Sequence, residues 1–315
     1  MLMKFDSQIV QYSGWEMALM RIAFGAMVWQ TVPSFYYPAT LSHPNGLARF
    51  LELTFLMNPE ILGTLRGFLA VAVVFYAAGF LMFGSLTFIT FLLSACGSFE
   101  NSQGAINHTI QPLALVALAQ WGVAGYFLVR NRMVHKGAFF PITTAETHRR
   151  LVHAAKVALV SCYVTSAITK LERSEGEWLQ RTPNLAVAIA KTNTKSYLNV
   201  QEPADHLAKA VPQFIIDHPN VTRVFFGLGF ALELFSFLAL LGRWPAVFIG
   251  VSLICMHDMI ARVMDLHFAI FERLALIFLV NVPWLAALAV GAIWHLSARW
   301  MQEHSNQRNE PARIS

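Results

Sequence analysis

A chain of 315 residues in which 56% of the side chains are apolar and only 13% are charged cannot cover an ordinary globule in water, since a soluble domain carries roughly 25% charged residues. Much of its surface must face something other than water, which excludes a typical soluble enzyme or binding domain. The net charge of +5 comes from Lys and Arg clustered beside apolar runs, not from a basic stripe interleaved with aromatics; this excludes nucleic acid as the partner and assigns those residues to membrane orientation.

Residues 1–12 carry Asp6 and further polar side chains ahead of the first apolar run, with no small-residue cleavage site after it, so no cleavable signal peptide is expected. A membrane-crossing helix needs about 20 mainly apolar residues. Eight stretches approach that pattern: 15–32, 67–83, 86–98, 113–129, 151–168, 221–241, 244–259 and 271–296. The third is short, and the last can bend at Pro283. Gly25, Ala77, Gly79, Gly227 and Gly229 supply small contacts through which such helices pack. No Gly/Ser linker or internal repeat interrupts them. The expectation is therefore an all-α, polytopic membrane bundle of about eight transmembrane helices, one domain over 1–300 with a polar tail over 301–315, whose end from Asn306 is expected to be disordered.

The connection 130–150 holds Arg130, Arg132, Lys136, Arg149 and Arg150 against the single acid Glu146, and short basic loops stay cytoplasmic. Counting spans outward from it puts both termini inside and sends 33–66, 97–112, 170–220 and 257–272 to the outer face. Within the third of these, 185–198 and 204–216 are amphipathic, suited to lying flat on the membrane or to covering the outer mouth of the bundle. Cys96, Cys162 and Cys255 lie far apart inside apolar runs and form neither a disulfide framework nor a CxxC motif. No GxSxG, P-loop, HExxH or GxGxxG context occurs, so hydrolase, nucleotide and zinc-protease chemistry have no support.

Two charges fall inside apolar stretches at similar calculated depth: Arg21 in the first and Glu233 in the sixth. Neither belongs in lipid alone, so a structural ion pair between them is predicted. At the outer ends, His257, Asp258, Asp265 and His267 invite a metal reading. On a helix, however, Asp258, Arg262 and Asp265 form an alternating-charge ladder on one face, and the two histidines stand about three turns apart. No metal site is predicted.

Several outer segments together resemble a known family. They are INHTIQPLALVALA (106–119), SAITKLERSEGEW (166–178), ALELFSFLALLGR (231–243) and MHDMIARVMDLHFAIF (256–271), preceded by MRIAFG (20–25) in the first stretch. Their order and spacing are similar to the horizontally transferred transmembrane (HTTM) domain, the membrane part of vitamin K-dependent gamma-carboxylase. The resemblance covers about 15–296. It implies a helical bundle in a bacterial inner membrane or a eukaryotic endomembrane, with a site facing the periplasm or lumen where a lysine deprotonates reduced vitamin K. By that match Lys170 is the catalytic lysine and His108 its catalytic partner, with Asn107, Trp178 and His257 as substrate-binding residues. Thr169 stands where the family has a second lysine, and 173–177 is an insertion. The implied activity is a lyase-like membrane enzyme acting on a quinol-like lipid or a peptide, with reduced vitamin K or another quinol as the implied cofactor.

Residue chemistry alone leaves a second reading open. Lys170 can be an interfacial lysine with its stem in lipid, and His108 a histidine bonded to a loop carbonyl. The chain is then a non-catalytic membrane subunit that holds a partner protein or a lipid. As a base, Lys170 needs an amine partly neutral near pH 7, well below its reference pKa of about 10.4. It should then point into the bundle beside an apolar cavity, with Phe226, Phe230 and Phe235 as candidate walls and Glu172 turned away.

Overall fold

The computed structural model describes residues 10–34, 45–102, 110–134, 144–200, 206–264 and 266–309, and among them the regular elements are helical. Helix α1 (Gly14–Thr31) begins where Ser13 and Glu16 form a reciprocal capping box. Helix α2 (Pro59–Ala78) is capped by the Asn58 side chain and ends at Gly79, whose left-handed φ of 77° turns the chain into α3 (Met82–Asn101). Helix α4 (Gln111–Val134) leads to α5 (Ala145–Arg173), capped by Thr144. With 29 residues, α5 is about 43 Å long. Then come α6 (Leu185–Val200), α7 (His206–Asp217), α8 (Pro219–Leu234), α9 (Arg243–Met264), α10 (Ala269–Leu274) and α11 (Val282–Asn309). A 3₁₀ segment, Ser236–Leu240, follows α8, and a π segment, Ala275–Val280, links α10 to α11.

Among these, α2, α3, α4, α5 and α9 are long and apolar enough to cross a membrane. Helix α10 with its π segment makes a sixth crossing if it and α11, bent by 48°, form one span. The other two stretches differ from the sequence pattern. Helix α1 carries Glu16 and Arg21 within its 18 residues, and α8 stops after 16, where Phe235 and the 3₁₀ segment take over. The bend expected near Pro283 is present. Asn281 adopts a left-handed φ of 52°, and its side chain accepts from the Trp284 amide at 3.3 Å, capping α11 where Pro283 has no N–H to donate.

The core joins α1, α2 and the π segment through Phe24, Tyr76 and Phe278, with ring centroids 5.6 and 5.7 Å apart. Close approach depends on two glycines. A Cβ at Gly25 would lie 2.9 Å from Val73 Cγ1, and one at Gly250 would lie 2.8 Å from Leu279 Cβ. The outward faces are apolar: Phe68, Val74, Val224, Leu228 and Phe248 are each more than half exposed, a surface that hydrocarbon tolerates and water does not. The amphipathic segments expected at 185–198 and 204–216 are α6 and α7. They bury Ala186, Ile189 and Ile215 against each other and against Val263 and Met264 at the end of α9.

Candidate functional site

Helix α5 puts Tyr163, Ala167 and Lys170 on one face, at steps of four and three residues. Lys170 sits in the last turn, and its ammonium donates to Glu233 Oε2 on α8. The Lys170 side chain is 31% exposed and that of Glu233 9%, so the amine is aimed at the neighbouring helix and not along the surface. After α5 the chain turns sharply through Glu175 (φ 54°) and Gly176 (φ 82°). That turn returns Trp178 to the same place, where its ring centroid lies 5.3 Å from Lys170 Nζ. Trp178 in turn leans on Phe230 of α8, centroid to centroid 5.6 Å. Glu172 is exposed.

Helix α9 supplies His257, 4% exposed. Its ring lies nearly parallel to Tyr163 (5.7 Å, 26°) and to Phe268 (4.9 Å, 25°), with Phe271 at its edge (5.9 Å, 68°). The Lys170 charge acts on His257, and Glu233 and Glu272 act on Tyr163, so these groups share one electrostatic environment. Two of its polar atoms, His257 Nδ1 and the Tyr163 hydroxyl, are buried without a hydrogen-bond partner among the described residues. Buried polar atoms are rarely left so. A cation, a carboxylate, two unsatisfied polar atoms and flanking aromatic faces together suit an aromatic ring bearing hydroxyl or carbonyl oxygens.

Of the sequence-predicted residues, Lys170, Trp178, Glu233 and His257 come together. Asn107 and His108 lie outside the described residues, as does Asp265. Among the three candidate wall residues, Phe230 meets Trp178, Phe226 packs on its neighbour Phe225, and Phe235 is 49% exposed. Asp258 pairs with Arg262 at 2.9 Å on the exposed face of α9, away from buried His257. Among the described residues no group of three His, Cys, Asp or Glu side chains gathers to hold a metal.

The predicted Arg21–Glu233 pair is not formed. Arg21 donates through Nε to the Ala77 carbonyl at 3.2 Å and through Nη1 meets His148 Nδ1 at 3.2 Å. It thus serves the open carbonyl end of α2. His148 and Lys170 stand 22 residues apart on α5, about 33 Å along the axis, so Arg21 and Glu233 belong to opposite ends of the bundle. As one straight crossing helix, 221–241 would carry Glu233 to the depth of Arg21. The end of α8 at Leu234 instead sets Glu233 level with the last turns of α5.

A broad groove of about 710 Å³ lies elsewhere, between Trp15 and Leu19 of α1 and Pro283 to Trp294 of α11, and is almost wholly apolar. Sequence reasoning missed Tyr163, although its spacing of seven from Lys170 on a helix was readable. It also missed a second polar cluster at the other end of α5, where Glu16 (4% exposed) pairs with Arg243 at 3.2 Å and accepts from Asn281 Nδ2 at 3.0 Å. The Ser13-x-x-Glu16 capping spacing was its one local signal. No protein-family model, curated protein or solved structure matches this chain.

Proposed function

We propose that the protein is an integral membrane enzyme of eight spans with both termini cytoplasmic, whose outer end carries a lysine-based site for a quinol-like lipid or a peptide, in the manner of the HTTM domain. What carries this reading is the convergence of Lys170 and Trp178, which flank one turn, with Glu233 and His257 from two helices farther along the chain, beside two buried polar atoms unsatisfied among the described residues. Lys170 is held as an ammonium by Glu233, so it acts as a base only after passing its proton to that carboxylate. The freed amine then takes a proton from a phenolic hydroxyl and becomes an ammonium again beside the phenolate, while Glu233 keeps the first proton. Trp178 and Phe271 offer ring faces, and His257 Nδ1 and the Tyr163 hydroxyl bond the far oxygen of the ring. The same ion pair also supports the rival reading, a non-catalytic subunit, because it ties α5 to α8.

Lys170→Arg separates the two. Arginine keeps the pair and the fold but cannot give up its proton. The full chain in lipid nanodiscs, given a chemically reduced naphthoquinone in air-saturated buffer where dissolved oxygen takes up the two electrons of the phenolate, is expected to oxidise it faster than empty nanodiscs do, and the Arg variant to lose about a hundredfold or more of that excess rate. Equal rates in the two proteins would leave Lys170 as a structural cation and favour the subunit. The topology has its own test: with native cysteines replaced, single cysteines at Phe140, Leu185 and Glu310 should show only the Leu185 position labelled from outside by an impermeant maleimide. Outside labelling at Phe140 overturns the orientation.

A further inference from the structure

Fourteen residues before Lys170 on α5, about 21 Å along its axis, a second lysine is buried with no counter-charge among the described residues. Lys156 is 3% exposed, and among the described residues no carboxylate lies in ion-pair range of it. Glu16, the acid of that region, is already taken by Arg243 and Asn281. The Lys156 ammonium instead lies over the Tyr12 ring, 5.7 Å from its centroid. The same ring also meets the Arg243 guanidinium, 5.2 Å away. Two cations close enough to repel thus share one aromatic ring, and among the described residues only Arg243 has an anion.

The Tyr12 hydroxyl is itself buried and has no hydrogen-bond partner among the described residues. Burial raises its pKa, against the opposing pull of Arg243, so it stays a protonated donor. Trp284, 5.0 Å from the Arg243 guanidinium, completes a setting of cations beside Tyr and Trp, the composition of a bilayer interface. An ammonium withdrawn from water without an opposite charge is costly, and an anion that also accepts from a phenol would relieve both defects.

We propose that Lys156, the Tyr12 hydroxyl and Arg243 form a binding site for a phosphate group, remote from the Lys170 site and independent of what that site does. A phospholipid headgroup and free inorganic phosphate present the same chemistry, a tetrahedral anion with several acceptor oxygens. Surface attraction alone would favour exposed basic residues such as Arg130 or Arg262, whereas this site depends on two buried donors.

The test uses the full chain, purified in a zwitterionic detergent and titrated separately with dihexanoyl phosphatidylglycerol and with inorganic phosphate, binding being read by calorimetry. Lys156→Gln should weaken binding of whichever ligand binds by about tenfold or more, and Lys156→Arg should recover most of it. Tyr12→Phe, which keeps the ring and its packing, should weaken binding about threefold to tenfold. It serves as the second variant if the Gln protein folds poorly. Tight binding of the lipid alone identifies a headgroup site, and equal binding of inorganic phosphate identifies a free-anion site; both support the proposal. Binding of neither ligand, or binding that Lys156→Gln and Tyr12→Phe leave unchanged, overturns it.

Discussion

Lys170→Ala is expected to lower the stability of the folded protein by about 3 kcal/mol, and Glu233→Ala by only about 1 kcal/mol. The asymmetry follows from burial. Removing Lys170 strands a carboxylate whose side chain is 9% exposed, and it must then stay unpaired in a poor solvent or take up a proton. Removing Glu233 leaves an ammonium that is 31% exposed and retains its contact with the Trp178 ring. It can reach water by rotating a flexible stem. A matched apolar pair, Lys170→Met with Glu233→Leu, should return to within about 1 kcal/mol of the parent, because it strands nothing. Reversible unfolding in mixed detergent micelles measures all four proteins. Equal losses from the two single substitutions, or a double variant as poor as their sum, would sink the argument. The lysine is paired with Glu233 and is not a free helix end that truncation would leave intact. For this reason the activity test above relies on Arg, which preserves the pair.

Gly250→Ala should cost about 2 kcal/mol or more, whereas Gly25→Ala should cost about 1 kcal/mol. At Gly250 an added Cβ would lie 2.8 Å from Leu279 Cβ, 2.9 Å from Val280 Cγ2 and 3.3 Å from the Val280 amide nitrogen. Two of those atoms are fixed close to or within the backbone of the π segment, so relief requires α9 and that segment to move apart. Leu279 is itself buried, at 1% exposure, and cannot rotate outward freely. At Gly25 the close contact is Val73 Cγ1 at 2.9 Å, with the next atoms at 3.8 and 3.9 Å. There a side-chain methyl can shift by a few tenths of an ångström. Thermal unfolding of the two variants should rank them in that order. A Gly250 variant as stable as the parent would mean that α9 does not pack so tightly on the π segment.

Local patterns were legible in the sequence. Apolar stretches at 67–83, 86–98, 113–129, 151–168 and 244–259 lie within or across α2, α3, α4, α5 and α9, because a helix satisfies its own backbone and needs only a run of suitable side chains. The amphipathic pair became α6 and α7 within two residues at each boundary, since a one-sided apolar pattern is a property of the segment itself. Pro283 marked the bend for the same reason: a missing N–H is local.

Pairing was another matter. Arg21, Glu233, Lys156 and Lys170 each announce themselves as charges beside or within apolar runs, but which charge meets which depends on the azimuth and depth of whole helices. Arg21 went to the open end of α2 and His148, and Glu233 to Lys170, because α8 stops at Leu234 and does not run straight through. The sequence by itself determined helical elements, an apolar exterior and the residues whose charge requires a partner. Only the tertiary structure decided that Lys170 is held by Glu233 and Trp178, that Tyr163 and His257 stack with polar atoms unsatisfied among the described residues, and that Lys156 lies over Tyr12 with no carboxylate of those residues in range. Apart from Lys170 and Trp178, which flank one turn, these contacts join residues about 60 to 145 positions apart, where no periodicity reaches and packing alone sets the distance.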